Sequence, residues 1–180
     1  MAVPFQDLVA YFKALAVEDL EHSGGTYLGH CAAVYRDMKK WGASEELARA
    51  GLFHSIYGTI LFDLFALPLE KRQEVQELIG ERAERLAYLN CAIEYDSFDR
   101  DVVEGGAPYR MLDRFTGETI KLSAQERADL LAIHLCDRLE QAPRSRDWEY
   151  RPKGFLRMAR VLGGPAADAF DSVYARASVD

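Results

Sequence analysis

No apolar run in this chain approaches the ~20 residues that a membrane-spanning helix requires, so no membrane span is expected. Cysteine is scarce. The three in the chain, Cys31, Cys91 and Cys136, are an odd number without zinc-type spacing. They predict neither a disulfide framework nor a zinc ribbon, and read as small core residues in a reducing, cytoplasmic setting. Positive charge is in deficit: 22 Lys and Arg face 29 Asp and Glu, for a formal net charge of −7. That balance excludes a dominant phosphate-backbone footprint and argues against nucleic acid as a main partner. The opening stretch Met1–Asp7 has neither the basic region nor the apolar core of a signal peptide. Repeats, low-complexity tracts and flexible linkers are missing too. The 180 residues are therefore expected to form a single domain, long enough to bury a full core.

What is present is mostly helical periodicity. Phe5, Leu8, Val9, Phe12 and Leu15 predict a first amphipathic helix. His22-Ser23-Gly24-Gly25 breaks the chain. Tyr27, His30, Cys31, Val34, Met38 and Trp41 then predict a helix over Thr26–Trp41. Leu47, Ala50, Gly51 and His54 predict another over Ser44–Gly58, opened by Ser44 and the acids Glu45 and Glu46. From Pro68 to about Tyr95 the pattern predicts one long helix. Its main stripe is Val75, Leu78, Ile79, Leu86, Leu89 and Ile93, while Gly80, Glu84, Ala87 and Cys91 form a second face. Glu77, Glu81 and Arg85 mark its solvent side, and Lys71-Arg72 reads most simply as a solvated helix start, with contact of Arg72 to an anion as the alternative if a cleft opens there.

Asp96–Pro108 reads as loop, and Arg110–Phe115 with Glu118–Leu122 as a β-hairpin around Thr116-Gly117. Ser123-Ala124-Gln125-Glu126 is a capping-box pattern opening a helix through about Gln141. Two shorter helices follow, near Pro152–Leu162 and Pro165–Ala177. The expected fold is all-α with one small hairpin, its core over about residues 26–141 and C-terminal helices within 152–177.

Two histidines stand out from this pattern. His30 and His54 each fall in an apolar stripe, 24 residues apart on successive predicted helices. An imidazole buried there needs a hydrogen bond, a carboxylate or a metal ion. Satisfied core histidines and a shared site are both consistent with the spacing.

The run from His30 to Gly42, the motif His54-Ser55-Ile56-Tyr57-Gly58-Thr59, and Leu135-Cys136-Asp137-Arg138-Leu139 together resemble an HD-type domain. More narrowly, the motif at His54 resembles a little-characterised branch in which Ser replaces the Asp of the His-Asp pair. The resemblance implies that His30, His54 and Asp137 converge as ligands of a divalent metal ion. Typical members hydrolyse phosphate esters, and some relatives use two irons to activate oxygen. Ser55 in place of a charged oxygen ligand implies a weakened site holding a single ion at most.

Glu84 is the candidate substitute acid, able to position water or move a proton, and Ser55 is placed with it as a catalytic candidate. Tyr57, Thr59 and Gln141 are the substrate-binding candidates. For most of these an ordinary structural role competes. Glu84 fits an ion pair, Tyr57 and Thr59 fit a helix end, and periodicity alone puts Asp137 with Glu126, Asp129 and Glu140 toward solvent. His134 reads as a surface or capping residue. The leading expectation is a metal-dependent hydrolase of a small phosphorylated or anionic metabolite. A small-molecule-binding domain without metal chemistry and an iron-dependent oxygenase are the alternatives.

Overall fold

A computed structural model describes residues 3–17, 19–22 and 24–178 of the chain. The architecture is mainly α with a small antiparallel hairpin, as the periodicity predicts. No helix among the described residues is long and apolar enough to cross a membrane. The chain divides into two compact units, Met1–Cys91 and Ala92–Asp180.

In the first unit, helix α1 (Phe5–Ala14) buries Leu8 and Phe12. A two-residue pair, β1 (Glu21–His22) and β2 (Gly25–Thr26), follows where a simple break is expected; Ser23 of that break lies outside the described residues. Helix α2 (Tyr27–Lys40) starts at Thr26, whose side chain accepts from the Gly29 amide, and it buries the expected stripe. Helix α3 (Glu45–Leu52) is capped by Ser44 and packs on α2. Gly51 permits that approach, since a Cβ there would lie 3.2 Å from Met38 Cγ and 3.3 Å from Val34 Cγ1.

Two boundaries differ from expectation. Helix α3 ends at Leu52 rather than near Gly58, so His54 stands in the turns beyond it. The long helix expected from Pro68 to Tyr95 is a 3₁₀ turn, Leu69–Lys71, then α4 (Arg72–Ile79) and α5 (Glu81–Cys91). Gly80 separates them at φ 99°, ψ 148°, a conformation closed to other residues. Periodicity survives the break, because the apolar stripe of each helix still meets the core.

In the second unit, the segment expected as loop begins with α6 (Tyr95–Phe98). It continues as a π-helical turn, Asp99–Val103, that buries Val102 and Val103. Strands β3 (Tyr109–Leu112) and β4 (Thr119–Leu122) form the hairpin, with Arg110 opposite Lys121. Helix α7 (Ala124–Ser145) opens with the capping box and runs past Gln141. Helices α8 (Pro152–Leu162) and α9 (Gly164–Tyr174) pack against α7. The three cysteines are free and buried, as expected of core residues.

Candidate metal-ligating site

The site is built around a pair of imidazoles in the first unit. His30 comes from α2 and His54 from the turn after α3, and they are 2% and 1% exposed. Their rings stand edge to face with centroids 5.0 Å apart, and the Nε2 atoms are 3.2 Å apart. His54 is fixed from several directions. Its Nδ1 lies 2.8 Å from the Gly51 carbonyl, which can only accept, so Nδ1 carries the proton. A neutral His54 ring therefore presents a bare lone pair at Nε2. The His54 carbonyl accepts from Asn90 Nδ2 at 2.9 Å and from Cys91 Sγ at 3.1 Å.

This is the arrangement expected of a metal-binding histidine: one ring nitrogen is held by backbone while the other faces a second imidazole. Two Nε2 atoms 3.2 Å apart, each at ~2.1 Å from a common ion, would subtend about 100° there. That angle lies between octahedral and tetrahedral values. The imidazole pair therefore fits a divalent ion, and equally fits a hydrogen bond from a protonated His30 Nε2.

The residues that follow His54 face different tasks. Ser55 is 2% exposed, and its hydroxyl donates to the Tyr27 hydroxyl at 3.3 Å. Burial pushes the Tyr27 phenol well above its ordinary range, so it stays neutral. Thr59 closes a turn: its Oγ1 accepts from the Phe62 amide and its own amide donates to the Phe62 carbonyl. That geometry gives Thr59 a structural, turn-forming role beyond the end of α3. Gly58, at φ 75° with Ala66 Cβ 3.1 Å from a built Cβ, fixes the same turn.

Glu84 is wholly buried at the centre of a second network. Its Oε1 accepts from Arg72 Nε at 2.6 Å and from Tyr57 at 2.9 Å. Its Oε2 accepts from Arg72 Nη2 at 3.0 Å and from Gln76 at 2.9 Å. With both oxygens doubly engaged, the carboxylate has little capacity left to activate water. The geometry thus favours the ion-pair role over the catalytic one. Arg72, expected as a solvated helix start, instead also stacks 3.7 Å over the Tyr88 ring. Burial and the adjacent Glu84 charge raise the Tyr57 phenol far out of its usual range, leaving it a neutral donor to Glu84.

In the second unit, Asp137 is half-buried on α7, and Gln141 one turn on donates to its Oδ1. Gln141 thereby orients a carboxylate, a role not foreseen for it. The sector that periodicity turns toward solvent is largely covered, with Asp129 at 4% exposure. His134 is also buried, at 5%, rather than at the surface. It lies among Tyr95, Phe98 and Phe155, with Arg151 Nη1 at 3.0 Å from its Nε2. These partners come from distant chain positions, which helical spacing on α7 alone does not report.

Sequence reasoning missed Asn90 and Gln76 as organising residues, and gave Arg72 an anion contact only as an alternative. Asn90 carries a weak signal, a polar side chain beside the buried Cys91. A family profile described as a domain of unknown function (DUF6817) matches residues 11–95. That stretch contains His30, His54 and Glu84 and stops short of Asp137. No curated protein and no solved structure matches the chain.

Proposed function

We propose that this chain holds one divalent metal ion and hydrolyses a small phosphorylated or otherwise anionic metabolite. His30 and His54 bind the ion through Nε2, and Asp137 is the carboxylate ligand that the resemblance to HD-type domains implies. The observation that carries the reading is the His30–His54 pair: buried, 3.2 Å apart at Nε2, with the His54 tautomer set by Gly51. The resemblance to HD-type domains supplies the reaction class. A divalent ion in such a site would lower the pKa of water and neutralise substrate charge. Gln141 orients the Asp137 carboxylate, while Asn90 and Cys91 fix the His54 backbone. Ser55, engaged with Tyr27, contributes no charged ligand, in keeping with a single ion.

The test is turnover of p-nitrophenyl phosphate by the full chain loaded with Mn, Mg, Ni or Zn. The expected result is metal-dependent hydrolysis that His30→Ala reduces at least about a hundredfold, on the order of a lost metal ligand. Metal bound at one equivalent, with no turnover of any phosphate ester, would contradict the hydrolase while leaving the metal site standing. A second reading, a metal-free binding domain, is favoured by the same 3.2 Å contact, which is also a hydrogen-bond distance. Chelator-treated and metal-loaded protein of equal thermal stability would support it.

A further inference from the structure

The second unit carries a groove that none of this chemistry uses. A cavity of about 480 Å³ is lined by Arg100, Asp101, Gly105, Gly106, Arg110 and Thr119. Its size is that of a small-molecule site. One wall is the outward face of the hairpin. Side chains alternate along a strand, so Met111 and Leu122 turn to the core while Arg110 and Thr119 face outward. Lys121, directly opposite Arg110 in the register, shares that outward face.

Like charges directly opposite one another across a hairpin are destabilising. Here they occur in a chain whose net charge is −7, where a nearby acid would be easy to supply. Among the described residues, neither Arg110 nor Lys121 has an ion-pair partner. Arg100, by contrast, is already neutralised, with Nε and Nη2 at 2.7 and 2.6 Å from the Asp101 carboxylate. The uncompensated charge is therefore that of Arg110, which lines the cavity, and of Lys121 beside it on the hairpin's outward face. Gly105 must stay glycine for its own backbone, since a Cβ there would lie 2.3 Å from the Asp101 carbonyl oxygen. Gly106 adds no side chain to the cavity either.

We infer that this groove binds a soluble small molecule bearing a doubly charged phosphate group, gripped by Arg110 in the cavity with Lys121 reaching in from the adjacent strand at its edge. An Arg fork grips phosphate oxygens bidentately, Lys adds a point charge, and the Thr119 hydroxyl can donate a further hydrogen bond. A single carboxylate would leave one of the two cations unmatched.

The experiment uses the full chain, with pyrophosphate as the probe and acetate at equal ionic strength as the control. It is run in the presence of EDTA and repeated in His30→Ala, so that binding at the proposed metal site cannot supply the signal. Calorimetry should show binding by pyrophosphate, little by acetate, and at least a tenfold loss of affinity in Arg110→Gln/Lys121→Gln. The unliganded double variant should melt no lower than the parent, because it removes a like-charge pair. Pyrophosphate affinity unchanged in the double variant, or no binding at millimolar concentration, would overturn the inference. So would binding to phosphatidylglycerol vesicles without binding to pyrophosphate, which would assign the groove to a lipid headgroup.

Discussion

At the residue scale, two buried polar networks of the first unit do different work. The His54 ring is held by the Gly51 carbonyl at Nδ1 with Nε2 turned to His30, whereas Glu84 has both oxygens taken up by Tyr57, Arg72 and Gln76. Arg72 is the residue that makes the second arrangement tolerable, since Glu84 has no exposure of its own. Arg72→Ala should therefore destabilise the chain by about 3 kcal/mol, the cost of leaving a buried charge without its partner. Arg72→Ala/Glu84→Leu should recover a good part of that loss. Chemical denaturation checks both. A loss under about 1 kcal/mol for the single variant would place the pair among the weak surface bridges instead.

Residue types were legible in the sequence, and their environments only partly so. The stripe through Tyr27, His30 and Val34 announced a buried imidazole because local spacing alone decides which face of α2 is covered. Nothing local announced that Asn90 and Cys91 would clamp the His54 carbonyl, or that Arg151 and three aromatic rings would enclose His134. Those contacts join residues at least 17 positions apart, and spacing within one helix carries no information about them. Glu84 was correctly placed on a distinct face of small residues. Its saturation by Tyr57, Arg72 and Gln76 depends on a bend in the chain that the periodicity concealed.

That bend belongs to the scale of elements. Gly80 divides what reads as one helix into α4 and α5, and this positions Arg72 and Gln76 over Glu84. Gly80→Ala discriminates the two readings by sign. In a continuous helix, alanine would add about 1 kcal/mol of stability. In the observed conformation, with nothing within 4 Å of a built Cβ, the only effect is backbone strain, a loss of about 1–3 kcal/mol. A stabilised Gly80→Ala protein in urea would contradict the break.

Helix α3 offers a prediction in pH. Burial alone would raise the Glu45 carboxyl, but hydrogen bonds from Tyr35 and Arg49 outweigh it and hold the group below its ordinary value of 4.5. A folded value below the unfolded one means stability that is present above the unfolded value and lost as pH falls through the folded one. Glu45 is 43% exposed, so solvent screening limits the effect to about 0.5 kcal/mol. Wild type should exceed Glu45→Gln by that margin near neutral pH, and the gap should close as pH falls through the acid range below 4.5. A gap that widens in acid would reverse the sign of the argument.

At the scale of the whole molecule, the mainly α architecture and the β3–β4 hairpin follow from periodicity and turn chemistry. The two compact units do not, because no linker composition marks the passage from Cys91 to Ala92. Each unit has its own polar centre: the histidine pair in the first, and Asp99, His134 and Arg151 in the second. The proposed function joins His30 and His54 to Asp137, and its central claim is a single metal ion. The most direct measurement is the metal content of the full chain purified without chelator, by inductively coupled plasma mass spectrometry. The account predicts close to one divalent ion per chain, lost in His30→Ala and in Asp137→Asn and retained in Glu84→Gln. Metal-free protein that gains no ion on incubation with Mn, Ni or Zn would contradict it, as would two tightly held ions per chain.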